Sequence, residues 1–283
     1  MNRIHKASIL VLLAIFALGG SALRGYTDEM QSDAVFHQEN DVGPKEEAGK
    51  AEEVTLISVY DNTQVNPELQ TGWGIGTVVK TSQETLLFDT GGDSEILLAN
   101  MEKMKIGPES IDKVMISHIH GDHLGGLKGF LEVNDHVTVY IPSSFPRGVK
   151  EMITKQGAEV VEISKPQSIS GCLYSTGELV GPPQEQSLLI HTTKGLIVMT
   201  GCAHPGIETI VKKAKEIFSE QKVVLAIGGF HRPSPAVVKG LRALGVEKVA
   251  PSHCTGDRAI EAFKKEYGDD FIAYGVGKII EIN

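Results

Sequence analysis

The chain is poor in cysteine, in net positive charge and in long apolar runs. Only three cysteines occur in 283 residues, Cys172, Cys202 and Cys254. An odd, sparse set does not read as a disulfide framework. Two of them stand in or beside histidine motifs, Cys202 near His204 and Cys254 next to His253, which suits metal chemistry; a Cys202–Cys254 bridge is the alternative. Lysine and arginine number 27 against 36 acidic residues, a formal charge of -9. That balance argues against nucleic acid or an anionic membrane surface as a main partner, although much of the acid lies outside the core domain. No low-complexity block and no short-period repeat interrupts the chain.

The longest apolar run, residues 7–18, follows Arg3 and Lys6 and leads to the small residues Gly20-Ser21-Ala22. It is too short for a comfortable membrane span and reads as a signal peptide over residues 1–22. Export to the periplasm or outside is therefore expected, with a retained, membrane-anchoring signal as the alternative. Residues 23–52 are polar and acidic, with almost no apolar periodicity, and read as a flexible linker. The domain proper is expected over 53–283.

From Val54 onward, short strand patterns alternate with amphipathic helix patterns. Strands are expected at 54–60, 76–80, 85–89, 114–117 and 137–141, with a helix over 95–104 and another starting across 124–131. The second half repeats the style. Strands are expected at 187–191, 196–200 and 223–227, within 246–250 and within 273–282, with helices over 206–218, 235–244 and 257–267. This order implies an α/β domain with two sheets packed face to face and helices outside.

What is abundant is metal-binding chemistry. His118-Ile119-His120-Gly121-Asp122-His123 puts four such side chains into six residues, directly after the apolar Val114-Met115-Ile116. Imidazoles and a carboxylate at this density suit divalent zinc. Gly125-Gly126 lets the chain turn closely as the next helix begins. Further strand-end loops carry the same residue types: Asp89 in Asp89-Thr90-Gly91-Gly92, Cys202 and His204 in Gly201-Cys202-Ala203-His204-Pro205-Gly206, His231 after Gly228-Gly229-Phe230, and His253 in Ser252-His253-Cys254-Thr255-Gly256. Histidine or acid at strand end after strand end is what a site on one rim of a sheet pair requires.

The H-x-H-x-D-H pattern with the earlier D-T-G resembles the metallo-β-lactamase superfamily over residues 54–283. The Cys202, His231 and His253 motifs are similar to the branch of 7,8-dihydropterin-6-methyl-4-(β-D-ribofuranosyl)-aminobenzene-5′-phosphate synthases. The resemblance implies a four-layer αββα sandwich with one or two divalent ions, zinc first and iron or manganese as alternatives. It places His118 and His120 on one ion, and Asp122, His123 and His253 on the other. A third histidine and a bridging carboxylate normally complete the set. Here Cys202 stands at the bridging place, His204 is the candidate for the missing histidine, and Glu185 is near enough to assist. A thiolate is a soft ligand that favours zinc or iron, and histidine rather than glutamate at 120 argues for hydrolytic chemistry. Asp89 is expected to hold the ligand loop by hydrogen bonds rather than bind metal. His231 is a candidate for substrate contact or proton transfer.

The reading of function is a zinc-dependent metallohydrolase acting on a small phosphate-containing or ester substrate, with water activated by the metal and Asp122 orienting it. The alternatives are a dihydropterin-type synthase that forms a carbon–carbon bond with pyrophosphate release, or a sensor without turnover. The expected partner is a small-molecule substrate, with no nucleic acid and no stable membrane partner unless the signal is retained. Trp73 and Phe145 are candidate pocket walls, in loops 61–75 and 142–186 whose geometry the sequence leaves open.

Overall fold

The computed structural model describes residues 49–283. The signal-type segment and most of the acidic stretch lie outside the described residues. The first half runs β1 (Val54–Asp61), β2 (Ile75–Lys80), β3 (Thr85–Phe88), α1 (Ser94–Lys103), β4 (Lys113–Met115), α2 (Gly121–Leu124), α3 (Leu127–Leu131), β5 (Thr138–Pro142), α4 (Arg147–Gln156) and β6 (Glu159–Ile163). The second half runs β7 (Gln167–Ser170), β8 (Leu173–Ser175), β9 (Leu188–Thr192), β10 (Gly195–Thr200), α5 (Ile207–Ile217), β11 (Val223–Gly229), α6 (Pro235–Ala243), β12 (Lys248–Ser252), α7 (Asp257–Tyr267) and β13 (Ile279–Ile282).

The strands form a seven-stranded sheet, β13-β1-β2-β3-β4-β5-β6, and a six-stranded sheet, β12-β11-β10-β9-β8-β7. Each sheet has a parallel part, β3 to β6 in one and β10 to β12 in the other. The last strand, β13, returns to the first sheet and pairs antiparallel with β1.

Alternation along the strands sets the layers. In β10, Ile197 and Met199 enter the core between the sheets, while Leu196 and Val198 pack beneath the helices of the second half. In β3, Leu86 and Phe88 face the other sheet and Leu87 faces the helices of the first half. Period-two alternation with both faces buried is the mark of a strand sandwiched between layers. Three apolar clusters follow, one between the sheets and one under each helical layer. The result is the four-layer αββα order that the sequence implied.

Three sequence expectations need adjustment. The helix expected across 124–131 begins earlier, on the ligand motif itself, and divides into α2 and α3 at Gly125-Gly126. A Cβ on Gly126 would meet the Thr90 carbonyl oxygen at 2.2 Å, and one on Gly125 would meet that of Gly92 at 2.5 Å. The two glycines thus let the Asp-Thr-Gly-Gly loop press against the helix pair. Phe145 is buried in the helical-side core of the first half, packed rather than exposed as a wall. The last residues expected as linker already belong to the fold: Ala51 is buried, donates to the His191 carbonyl and accepts from the Thr193 amide.

Candidate metal centre

Five of the motif loops meet at one rim. Asp89 follows β3 with left-handed backbone, φ 55°. Its Oδ1 accepts the Ser117 amide N–H at 2.7 Å, and its Oδ2 accepts the Ser117 hydroxyl at 2.7 Å. The same Oδ2 lies 2.7 Å from His123 Nδ1. Asp89 therefore ties the loop after β4 to the first turn of α2 and fixes the tautomer of His123, so that Nε2 faces the rim. Ser117 Oγ also lies 2.9 Å from His118 Nδ1. Burial and then the neighbouring histidines hold His118 well below the ordinary imidazole range. A neutral ring is the form that binds metal.

The second sheet supplies the facing groups. Cys202 Sγ stands 3.2 Å from His123 Nε2. His253, left-handed at φ 49°, lies with Nδ1 2.9 Å from Asn62 Oδ1 and Nε2 3.2 Å from Asp122 Oδ2. Burial works to raise the Asp122 carboxyl, but the contact with His253 and the charge of His123 hold it below the usual range. Donor atoms of Asp122, His123, Cys202 and His253 all lie within 4.8 Å of one another, as do those of His118, Cys202 and His204. His120 flanks the second group, Nδ1 3.1 Å from His118 Nε2, with its ring centroid 4.9 Å from that of His204. Cys202 belongs to both groups, as a shared ligand would. The buried His204 Nε2 has no hydrogen-bond partner among the described residues. An orphaned buried nitrogen aimed into a ring of donors fits a metal ion. Burial, with His231 and His120 nearby, pushes His204 down to about 4.

Glu185 does not offer a ligand atom. Its Oε1 accepts the amide N–H groups of Cys202 and Ala203 at 3.0 and 2.9 Å, and its Oε2 accepts that of His204 at 2.7 Å. It is a fully buried clamp on the Cys202–His204 loop. Burial raises its carboxyl, and those three amides work against the rise. The sequence places Glu185 near the rim; that it works through the amides of the Cys202–His204 loop is visible only in the structure.

The residues that motif reading missed are Asn62 and Ser117. Asn62 and Ser117 are ordinary loop polar residues, recognisable only by what they touch. Cys254, next to His253, is where the sequence suggests metal chemistry. Its Sγ groups with Cys202 Sγ and a ring nitrogen of His231 within 4.8 Å. All three cysteines are free thiols, so the Cys202–Cys254 bridge is not formed. The Cys202 thiol beside it, and the His231 amide donating to its sulfur at 3.3 Å, hold Cys254 down. The same pairing and burial push Cys202 up. His231 is exposed, its ring centroid 4.5 Å from that of His204.

The family model described as the metallo-beta-lactamase superfamily matches residues 76–253, a span that includes every one of these histidines. The chain belongs to the metallo-beta-lactamase superfamily. Members of this superfamily use divalent metals, and this chain is an enzyme of that kind. It is 31% identical over 249 residues to the 7,8-dihydropterin-6-methyl-4-(beta-D-ribofuranosyl)-aminobenzene-5'-phosphate synthase of Methanocaldococcus jannaschii, covering 70% of this chain and 85% of the relative. Among solved structures, Tm1679, a metal-dependent hydrolase of the beta-lactamase superfamily, is 25% identical with a TM-score of 0.66, covering 81% of this chain and 99% of its own. The metallo-beta-lactamase fold protein YhfI from Bacillus subtilis, 16% identical with a TM-score of 0.59 over 81% of this chain and 99% of its own, shares the fold. In this chain the sulfur of Cys202 stands where two groups of candidate ligands meet.

Proposed function

We propose that the chain is a zinc-dependent hydrolase of a small phosphate-containing or ester substrate, with His118, His120 and His204 on one ion, Asp122, His123 and His253 on the other, and Cys202 between them. The observation that carries this reading is the position of Cys202 Sγ in both donor groups. A thiolate favours zinc or iron over magnesium or calcium. These residues would hold zinc, which would supply Lewis acidity that draws the pKa of water toward neutrality. Asp122 is the one carboxylate among these donors and is partly exposed. It orients the attacking water and accepts its proton. Asp89, Asn62 and Glu185 act through other residues, holding His123, His253 and the Cys202–His204 loop in place.

The second reading is a synthase, and the 31% identity to the archaeal enzyme favours it. The apolar run 7–18 behind Arg3 and Lys6 supports export instead, away from phosphorylated biosynthetic intermediates. The double variant His118→Ala/His120→Ala is expected to lose bound metal by elemental analysis, and turnover with it. Retained metal would sink the ligand assignment. Assays of the zinc-loaded wild type against phosphodiesters and lactones, and in parallel against a dihydropterin pyrophosphate with the ribosyl-aminobenzene phosphate, decide between the readings. Turnover of the second pair alone would replace hydrolase by synthase.

A further inference from the structure

Behind His253, between the two sheets, lies a group of buried oxygens that the metal centre does not use. Leu56 of β1, Ile75 and Val79 of β2, and Ala250 of β12 belong to the apolar core between the sheets. Alternation puts Ser58, Thr77 and Ser252 on those same faces. Ser58 and Thr77 stand opposite each other across β1 and β2. Asp61 closes β1, and Tyr274 packs into the same core from the segment before β13. All five side chains are buried. The Thr77 and Tyr274 hydroxyls share a hydrogen bond of 2.8 Å. Asp61 Oδ1 accepts the Thr63 amide N–H at 2.7 Å. The other oxygens, Ser58 Oγ, Asp61 Oδ2 and Ser252 Oγ, make no hydrogen bond among the described residues. They are neighbours nonetheless: Ser252 acts on the Asp61 carboxyl, and both Asp61 and Ser58 act on Tyr274. Oxygens that face one another in a dry interior without closing hydrogen bonds are arranged as ligands around a shared guest.

Charge narrows what that guest is. Asp61 Oδ2 meets no lysine or arginine among the described residues. Burial pushes the Asp61 carboxyl up to about 6, although the Thr63 amide, Ser252 and His253 pull the other way. A carboxylate this deep stays charged when a cation is coordinated to it. The donors are all hard oxygens, without nitrogen or sulfur, which disfavours zinc. One carboxylate among four hydroxyls balances a single positive charge, whereas calcium sites draw on several carboxylates. We infer that Asp61, Ser58, Thr77, Ser252 and Tyr274 form a site for a monovalent alkali cation, sodium or potassium, set between the sheets behind the metal centre. Asp61 precedes Asn62 and Ser252 precedes His253. Asn62 holds His253 at both ends, with Oδ1 2.9 Å from Nδ1 and Nδ2 donating to the His253 carbonyl at 3.4 Å. A cation shared by Asp61 and Ser252 therefore pins the backbone on both sides of that pair. The five residues are positioning groups and touch no reacting atom. The link to His253 rests on its reading as a metal ligand; the cation site does not.

The test uses the full chain, freed of divalent metal by a chelator and kept in mildly alkaline buffer. It is melted in sodium, potassium and choline chloride at equal ionic strength. An alkali ion is expected to raise the melting temperature above that in choline, saturably, by about 3–6 °C at about ten times its dissociation constant. The sodium NMR line is expected to broaden with the wild type, and potassium to reverse the broadening. Asp61→Asn is expected to lose both responses. Ser58→Ala, which keeps the carboxylate and removes one small ligand, is expected to raise several-fold the salt needed for half the rise. Equal melting in all three salts with an unbroadened sodium line would overturn the inference, because the oxygens would then enclose water. So would an Asp61→Asn protein that melts as high as wild type in sodium, since an amide can replace a protonated acid but not a cation's carboxylate. Zinc affinity is read separately, with and without the alkali ion. A melting response with unchanged zinc affinity upholds the cation site and overturns its link to His253.

Discussion

Asp89 illustrates how much of this site hangs on single atoms. One oxygen, Oδ2, receives both the Ser117 hydroxyl and the Nδ1 side of His123. Replacing it by an amide nitrogen puts a donor against a donor and turns His123 to the wrong tautomer. Asp89→Asn is therefore expected to weaken metal binding about 10- to 100-fold while the domain stays folded. Competition with a fluorescent chelator measures this, and an unchanged affinity would make Asp89 merely structural. Cys172 offers the contrast at the same scale. It is buried in the core between the sheets, far in sequence from any ligand, and burial pushes its thiol up to about 11. Its neighbours make it a small apolar side chain rather than a reagent.

At the scale of elements, legibility followed local pattern. β10 was readable as a continuous apolar run and α5 and α7 by their helical apolar period, and α7 spans the expected Asp257–Tyr267. The region 142–186 was not. There β6 is a half-exposed strand at the edge of its sheet, and β7 and β8 are four and three residues long, too short to show a period. The division of α2 from α3 was hidden for another reason, since Gly125 and Gly126 answer to carbonyls of a loop thirty-odd residues earlier. Ligand types announce themselves in sequence, and so does Asp89; which atoms a positioning residue holds shows only in space. Glu185 is the case in point, and it acts on a whole segment. Glu185→Gln keeps one acceptor oxygen and turns the other into a donor facing a backbone N–H. A loss of about 1–3 kcal/mol is expected in urea unfolding, together with weaker metal retention by the Cys202–His204 loop. Stability equal to wild type would mean the clamp contributes nothing.

At the scale of the molecule, the candidate ligands are drawn from both sheets. His118, His120, Asp122 and His123 follow β4 in one; Cys202 and His204 follow β10, and His253 follows β12, in the other. Metal bound between them is a strap across the sandwich as well as a reagent. With free metal at about 100 times the dissociation constant, that linkage stabilises by about 2.7 kcal/mol. Chelation is expected to lower the melting temperature by about 5–10 °C, and added zinc to restore it. A melting curve indifferent to chelator would place the metal outside the fold's energetics.

The pairing of Ala51 with the turn-side end of β9 has a practical corollary. The adjacent β10 runs from that end to the Cys202 loop, a traverse of about 16 Å at the usual rise per residue. The chain therefore enters the sandwich at the opposite end from its reactive face. A support attached at Gly49 itself sits on the side of the sandwich away from the Cys202 loop.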